Sequence, residues 1–284
     1  MIARFRRSGW QLFLRRVAPA VLLLTTLSTA VAGGALFLGL SFWRATLFAA
    51  SVLLGTGGHA FGHYIAARRH GVGAYPPYFV PALSMWGTSG AYVKMIWPIE
   101  NRRALLRIFA AGPIAGFAVS AVLLFIGLAL SQVVPRQDVS ALQFGESLLT
   151  LGMQRILFSH MTPTDDLLIH PLGLAAYFGL FFNLWHLFPA GRLDGGRVVY
   201  ALFGYKRALA LSWVTVVGLA ILGAIWWGWL AFALFAALTM IRLRRQHPVD
   251  ISEWRLDGST VGLVCIVLVI LTLTFVPVPL QMVP

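Results

Sequence analysis

The sequence predicts an all-α polytopic membrane protein of about six to seven transmembrane helices, with a re-entrant loop or β-hairpin on the cytoplasmic side. Three observations predict it. Hydrophobic residues make up 59% of the 284 positions and charged residues only 11%, with a mean hydropathy of +0.81. Soluble domains carry about a quarter charged residues, and so few polar groups cannot cover a water-soluble fold of this size. The apolar residues fall into uncharged runs of the roughly 20 residues needed to cross a bilayer. The basic residues fall between those runs, almost all on one side.

The first run, Val17–Trp43, follows a basic tail (residues 1–16) in which Arg4, Arg6 and Arg7 interleave with Phe5, Trp10, Leu12 and Phe13. That pattern suits a segment lying on the membrane surface. The run passes a signal-like Ser28-Thr29-Ala30-Val31-Ala32 without stopping, so it reads as an uncleaved anchor. The next runs are Ala45–Ala67, Ile108–Val134 and Leu172–Pro189. Ala208–Ile241 has 34 uncharged residues; as one helix it would reach about 51 Å against a ~30 Å hydrocarbon core. Gly223 and Gly228 flank Trp226 and Trp227 and mark a reversal at an interface, giving spans Ala208–Ala224 and Trp229–Ile241. Ser259–Val278 is the last run.

Charge placement sets the orientation. With the N-terminus inside, the tail and segments 68–107, 192–207 and 242–255 hold 19 of the 22 Lys and Arg, leaving Arg44, Arg136 and Arg155 outside. This is a positive-inside distribution. It accounts for the formal charge of +13 without nucleic acid as a partner. The single Cys265 excludes a disulfide framework. The whole chain, 1–284, reads as one membrane-embedded domain, with no stretch long enough for a PDZ-like module and no CBS-like tail. Within it, segment 74–95 is uncharged until Lys94 but holds Pro76, Pro77 and Pro81, which forbid a continuous helix. It reads as a re-entrant strand or hairpin.

Ionisable residues at membrane depth are costly and point to function. His59 and His63 lie four apart in the second run, and Asp194 follows the fourth. On a helix, that spacing puts two imidazoles on one face, a usual arrangement for two ligands of one Zn²⁺. The alternative is a pair of helix-packing histidines bonded to neighbours. Asp194 sits in Pro189-Ala-Gly-Arg-Leu-Asp194-Gly195-Gly196, where irregular backbone delivers a carboxylate into a protein interior or makes an ordinary turn. A short helix, Arg197–Phe203, follows.

Gly58-His59-Ala60-Phe61-Gly62-His63 through Gly71, Gly112-Pro113-Ile114-Ala115-Gly116 and Leu193-Asp194-Gly195-Gly196 together resemble, in this order, the motifs of the site-2 protease family of intramembrane zinc metalloproteases. The tail with Arg245, His247 and Pro248 is also similar. The resemblance covers roughly residues 50–205 and implies a catalytic core at 45–205. It implies one zinc ion per chain, held by His59, His63 and Asp194, and transmembrane protein substrates cut within the lipid bilayer. The expected location is a prokaryotic inner membrane, with the N-terminus and active site towards the cytoplasm.

Two positions depart from the family. Its His-Glu-x-x-His motif places a general base where this chain has Ala60. Alanine accepts no proton, so the chain reads as an inactive variant that still binds metal. A natural pseudoprotease and a Glu→Ala substitution made to stop autolysis both fit; the intact ligands and glycines favour the second. The family's Asn-x-x-Pro becomes His186-Leu-Phe-Pro189, with Asn183 one turn earlier, so His186 or Asn183 is expected to hold the substrate backbone. Gly87, Thr88, Ser89 and Gly90, followed by β-favouring Tyr92 and Val93, resemble a re-entrant substrate-binding edge that adds an unwound substrate as a strand. The competing function is a metal or proton transporter using the His/His/Asp cluster. Transporters commonly show repeated, interrupted helices in two halves, and no such repeat is visible here.

Overall fold

A computed structural model describes residues 9–96, 99, 101–135, 141–162, 164–241 and 257–283. Residues 1–8 of the basic tail and the segment with Arg242, Arg244, Arg245, His247, Pro248 and Arg255 lie outside the described residues. The architecture is the expected all-α polytopic one. Among the described residues, three helices are long and apolar enough to cross a membrane, and shorter apolar helices accompany them.

Helix α1 (Gly9–Leu38) and helix α2 (Phe42–Arg69) form the first hairpin of helices. The break falls at Gly39, which has φ +63°, rather than at Arg44 as charge alone suggested. Glycine takes that left-handed conformation without a Cβ penalty. Arg44 instead falls within α2. Hydroxyls in α1 are satisfied locally: Thr25 and Thr26 donate to the carbonyls of Val21 and Leu22. α2 ends with Arg68 and Arg69 in its last turn, where positive charge complements the helix dipole.

Segment 74–95 is a hairpin. Strands β1 (Tyr78–Pro81) and β2 (Thr88–Tyr92) pair antiparallel, Tyr78 opposite Tyr92 and Pro81 opposite Thr88, with an irregularity between Phe79 and Pro81. Its tip is wedged against α1. The Thr29 hydroxyl donates to Gly87 O at 2.6 Å, and Gly33 lies under the carbonyls of Ser84 and Met85, where a Cβ would come within 2.6 Å. Trp86 stacks on Phe178 with centroids 4.6 Å apart and lies 6.1 Å from Phe48.

Helix α3 (Arg102–Ala129) starts at Asn101, whose side chain accepts from the N–H groups of Arg103 and Ala104. It ends before Val134, and the residues expected to continue it form strand β3 (Gln132–Pro135). The segment between α3 and α5 contains strand β4 (Ala141–Phe144), helix α4 (Leu148–Leu157) with a Ser147/Thr150 capping box, and strand β5 (Asp165–Leu168), which pairs with β3. Helix α5 (Pro171–Leu187) begins with proline, tolerated there because the first-turn N–H has no intrahelical partner.

Helix α6 (Asp194–Leu222) contains the short helix expected at 197–203 and the fifth span in one element, broken at Gly204 (φ 77°, ψ 178°). The reversal expected around Gly223 and Gly228 is present, and helix α7 (Gly228–Ile241) follows it. Helix α8 (Gly258–Thr274) is capped by Asp257, and strand β6 (Leu280–Val283) pairs with β4. α2, α3 and α5 form the centre. They meet through small residues: a Cβ on Gly55 of α2 would lie 3.2 Å from Ser120 Oγ of α3 and 3.6 Å from Gly179 Cα of α5. Such close approach is how helices associate where solvent cannot drive them together.

Candidate metal centre

The i, i+4 spacing places His59 and His63 one turn apart on the inner face of α2. Asp194, the first residue of α6, comes to meet them. The three are 2%, 7% and 5% exposed. His59 Nε2 and His63 Nε2 each lie 3.1 Å from Asp194 Oδ2, and 3.1 Å from one another. A cluster that sequence reasoning assembled from positions 131 residues apart thus closes to a triangle of three ligand atoms.

The hydrogen-bond directions decide what that triangle suits. His63 Nδ1 lies 2.8 Å from Ile108 O, which can only accept, so Nδ1 carries the proton. Asn183 Nδ2 donates to Gly179 O at 2.8 Å, which turns Oδ1 towards His59 Nδ1, also at 2.8 Å. His59 Nδ1 is therefore a donor as well. Both Nε2 atoms then present lone pairs towards a carboxylate oxygen. Three buried acceptors at 3.1 Å fit a shared cation. The edges are close to the ~3.3 Å of a tetrahedron with bonds of about 2.05 Å. Two His and one Asp suit zinc and leave a fourth position for water.

The glycines of the two flanking motifs have steric work here. Gly112 and Gly116 sit one turn apart on α3, facing α2. A Cβ at Gly112 would lie 2.2 Å from His63 Nε2; at Gly116 it would lie 2.5 Å from Asn183 Oδ1 and 2.8 Å from His59 Cβ. Pro113 follows in the same turn and offers no N–H to the carbonyl one turn back. Gly195 and Gly196 let α6 begin hard against the preceding turn, where Cβ atoms would come within 2.0 Å of Leu187 O and 2.6 Å of Gly191 O. Gly191 has φ +52°, and its N–H donates to Ser212 Oγ at 3.0 Å.

The remaining expected residues are placed as follows. Ala60 is buried beside His59. The His186 ring packs edge-on to His59 at 4.8 Å and against Phe182 at 4.2 Å, and its Nδ1 donates to Phe182 O at 2.9 Å. Asn183 is fully buried behind His59. Gly90 (φ +103°) lies against the Phe182 ring, which itself packs on His59 at 5.4 Å; the hairpin thus comes within one ring of the ligands. Thr88 is buried, its hydroxyl donating to Val80 O and accepting from Gly90 N–H, each at 2.9 Å, while Ser89 is exposed. Gly87 is not at the centre but in the tip against α1. Sequence reasoning missed Ile108, Phe182, and Phe109, whose ring lies between His63 (5.4 Å) and the Arg197 guanidinium (4.1 Å). The spacing of Gly112 and Gly116 carried a signal for the steric role of α3; the others have none.

The chain is similar to several known proteins. The chain is 36% identical over 162 residues to a probable zinc metalloprotease, EGY2, chloroplastic, of rice (Oryza sativa subsp. indica), covering 55% of this chain and 29% of that protein. It is 32% identical over 231 residues to the probable zinc metalloprotease EGY1, chloroplastic, of Arabidopsis thaliana, covering 78% and 40%. To the rice EGY3 protein (subsp. indica), of the same description, it is 30% identical over 234 residues, covering 74% and 38%. The chain thus spans 29–40% of the length of these relatives. Their names place them in chloroplasts, not in the prokaryotic inner membrane expected from the sequence. No solved structure matches the chain. The profile of Peptidase family M50 matches residues 47–225, a stretch that takes in both histidines, the two glycines of α3 and Asp194, and the chain belongs to that family, the site-2 proteases.

Proposed function

We propose that this chain is an intramembrane metalloprotease scaffold that holds one zinc ion through His59, His63 and Asp194. It receives transmembrane segments of other proteins from the bilayer, and its turnover is suppressed because position 60 is alanine. The observation that carries this reading is the buried triangle of three acceptors at 3.1 Å, inside the region matched to a peptidase family. Bound zinc would supply Lewis-acid polarisation of a substrate carbonyl and lower the pKa of a bound water.

The chain's own residues then divide the remaining tasks. His59 and His63 face the centre with their Nε2 atoms because their Nδ1 protons are held elsewhere. The Phe109 and Phe182 rings pack against His63 and His59 and line one side of the centre. Ala60 offers no acceptor for a proton of an attacking water. A helical substrate hides its peptide bonds in its own hydrogen bonds, so it must unwind before hydrolysis. The open edge of β2, with Ser89 exposed, is suited to pair with such a segment, and His186, beside His59, is suited to contact the substrate backbone. In this reading residues 45–205 are the catalytic core of one membrane-embedded domain, with its N-terminus on the cytoplasmic side.

The test compares this chain with Ala60→Glu in a membrane-substrate cleavage assay. A positioned base contributes about 10²–10⁴-fold, so the variant should cleave at least that much faster than the parent. A variant that binds one zinc per chain and leaves every membrane substrate intact sinks the protease reading. Zinc flux across proteoliposomes in place of cleavage would favour a transporter.

A further inference from the structure

We propose that Asn183 is the positioning residue of the metal ligand His59: it determines which imidazole nitrogen faces the metal and at what angle. The inference rests on the metal-centre reading above. Asn183 is fully buried in the middle of α5. Its amide is held at both ends, Nδ2 donating to Gly179 O on its own helix and Oδ1 accepting from His59 Nδ1, each at 2.8 Å. The first bond fixes the orientation of the amide, and the second then fixes the His59 tautomer with its Nε2 lone pair towards His63 and Asp194.

The packing around the amide leaves it little room. Gly116 faces both partners; a Cβ there would meet Oδ1 at 2.5 Å, Nδ2 at 2.8 Å and His59 Cβ at 2.8 Å. The amide is therefore confined by its own helix, by α3 and by the histidine, leaving it one arrangement. The two histidines also differ in a useful way. His63 donates to a main-chain carbonyl, Ile108 O, which no substitution removes. His59 depends on a side chain. Removing Asn183 should thus loosen one ligand and leave the other two in place. His186 does not substitute for it, since its own Nδ1 is engaged with Phe182 O.

Partners of this kind typically change metal affinity by about 10–100-fold when lost. The experiment titrates the full chain in detergent with Zn²⁺ against a chelator, and records the Co²⁺ absorption spectrum, for the parent, Asn183→Leu, Asn183→Asp and Gly116→Ala. Asn183→Leu should weaken zinc by about 10–100-fold and alter the Co²⁺ bands. Asn183→Asp keeps an acceptor for His59 Nδ1 but loses the donation to Gly179 O, and should weaken zinc less than Asn183→Leu does. Gly116→Ala displaces the amide without removing it and should weaken binding in the same direction as Asn183→Leu. A purely structural Asn183 would lower thermal stability and leave affinity and spectrum unchanged, and that result overturns the proposal. So does an Asn183→Asp protein that binds zinc more weakly than Asn183→Leu. If Asn183→Leu does not fold, Gly116→Ala decides alone, and parent-like affinity in Gly116→Ala refutes the idea. A parent chain that binds no zinc instead rejects the metal centre itself, and this inference with it.

Discussion

Gly112→Ala adds one methyl group to the middle of a helix, where alanine is favoured over glycine by about 1 kcal/mol. On helix propensity alone the variant should be more stable. The centre makes the opposite demand. The new Cβ would lie 2.2 Å from His63 Nε2, 2.4 Å from Cε1 and 2.5 Å from Cδ2, whereas ordinary contact begins near 3.4 Å. The imidazole must retreat by about 1 Å, and zinc sites tolerate distance errors of about 0.2 Å. Its retreat is opposed by the 2.8 Å bond from Nδ1 to Ile108 O and by the Phe109 ring. One of three protein ligands is then lost. We expect zinc affinity to fall by at least about 100-fold, equivalent to about 3 kcal/mol, with the helix intact. The assay is metal content of the purified protein, followed by chelator competition, beside Gly218→Ala, where nothing lies within 4 Å of the new Cβ and no loss is expected. A folded Gly112→Ala protein with parent-like zinc affinity would show that α3 does not pack against His63 as described.

Two further outcomes test the frame around the centre. Gly87→Ala must accommodate φ +67° and a Cβ 2.1 Å from Ala30 Cα; backbone strain and overpacking each cost about 1–3 kcal/mol, so the melting temperature should drop clearly, and an unchanged melt would contradict the docking of the hairpin on α1. Asp257 caps α8, and hydrogen bonds from the Thr260 hydroxyl and N–H hold its carboxyl at about 2, below its ordinary 3.8. Because the folded-state value is the lower one, its contribution is present above pH ~3.8 and disappears as pH falls through about 2. Thermal melts between pH 5 and pH 2 should therefore fall more steeply for the parent than for Asp257→Asn, and parallel curves would remove this cap from the account.

The positions of the apolar helices, the reversal near Gly223 and Gly228, the hairpin and the shared face of His59 and His63 were legible in the sequence, because each rests on composition, local turn chemistry or helical spacing. Asp194, by contrast, joined the two histidines only through the motif resemblance. What was not legible depends on groups that meet only after packing. Asn183 reads in sequence as a candidate to hold the substrate backbone, not as a partner of His59. Its role comes from His59 across the helix interface, and nothing near position 183 announces that contact. Gly39 lies among other glycines, so the end of α1 looked set by the charge at Arg44. The pairing of β3 with β5 and of β4 with β6 joins short segments far apart in the chain, with too little alternation for either to stand out alone. Ala60 was legible as a departure, and the consequence for turnover belongs to chemistry rather than to fold.

The break at Gly204 bears on how the centre lives in membranes of different thickness. A span that is too long or too short for its bilayer adjusts chiefly by tilting, and an unbroken α6 would carry that tilt straight to its first residue, Asp194. With φ 77° and ψ 178° at Gly204, the helix instead consists of two rods joined at a bend. The rod after Gly204 would be free to tilt with the lipid while residues 194–203 stay packed against the turn at Leu187–Gly191. A tilt of the second rod would therefore meet the bend at Gly204 before it reached the carboxylate.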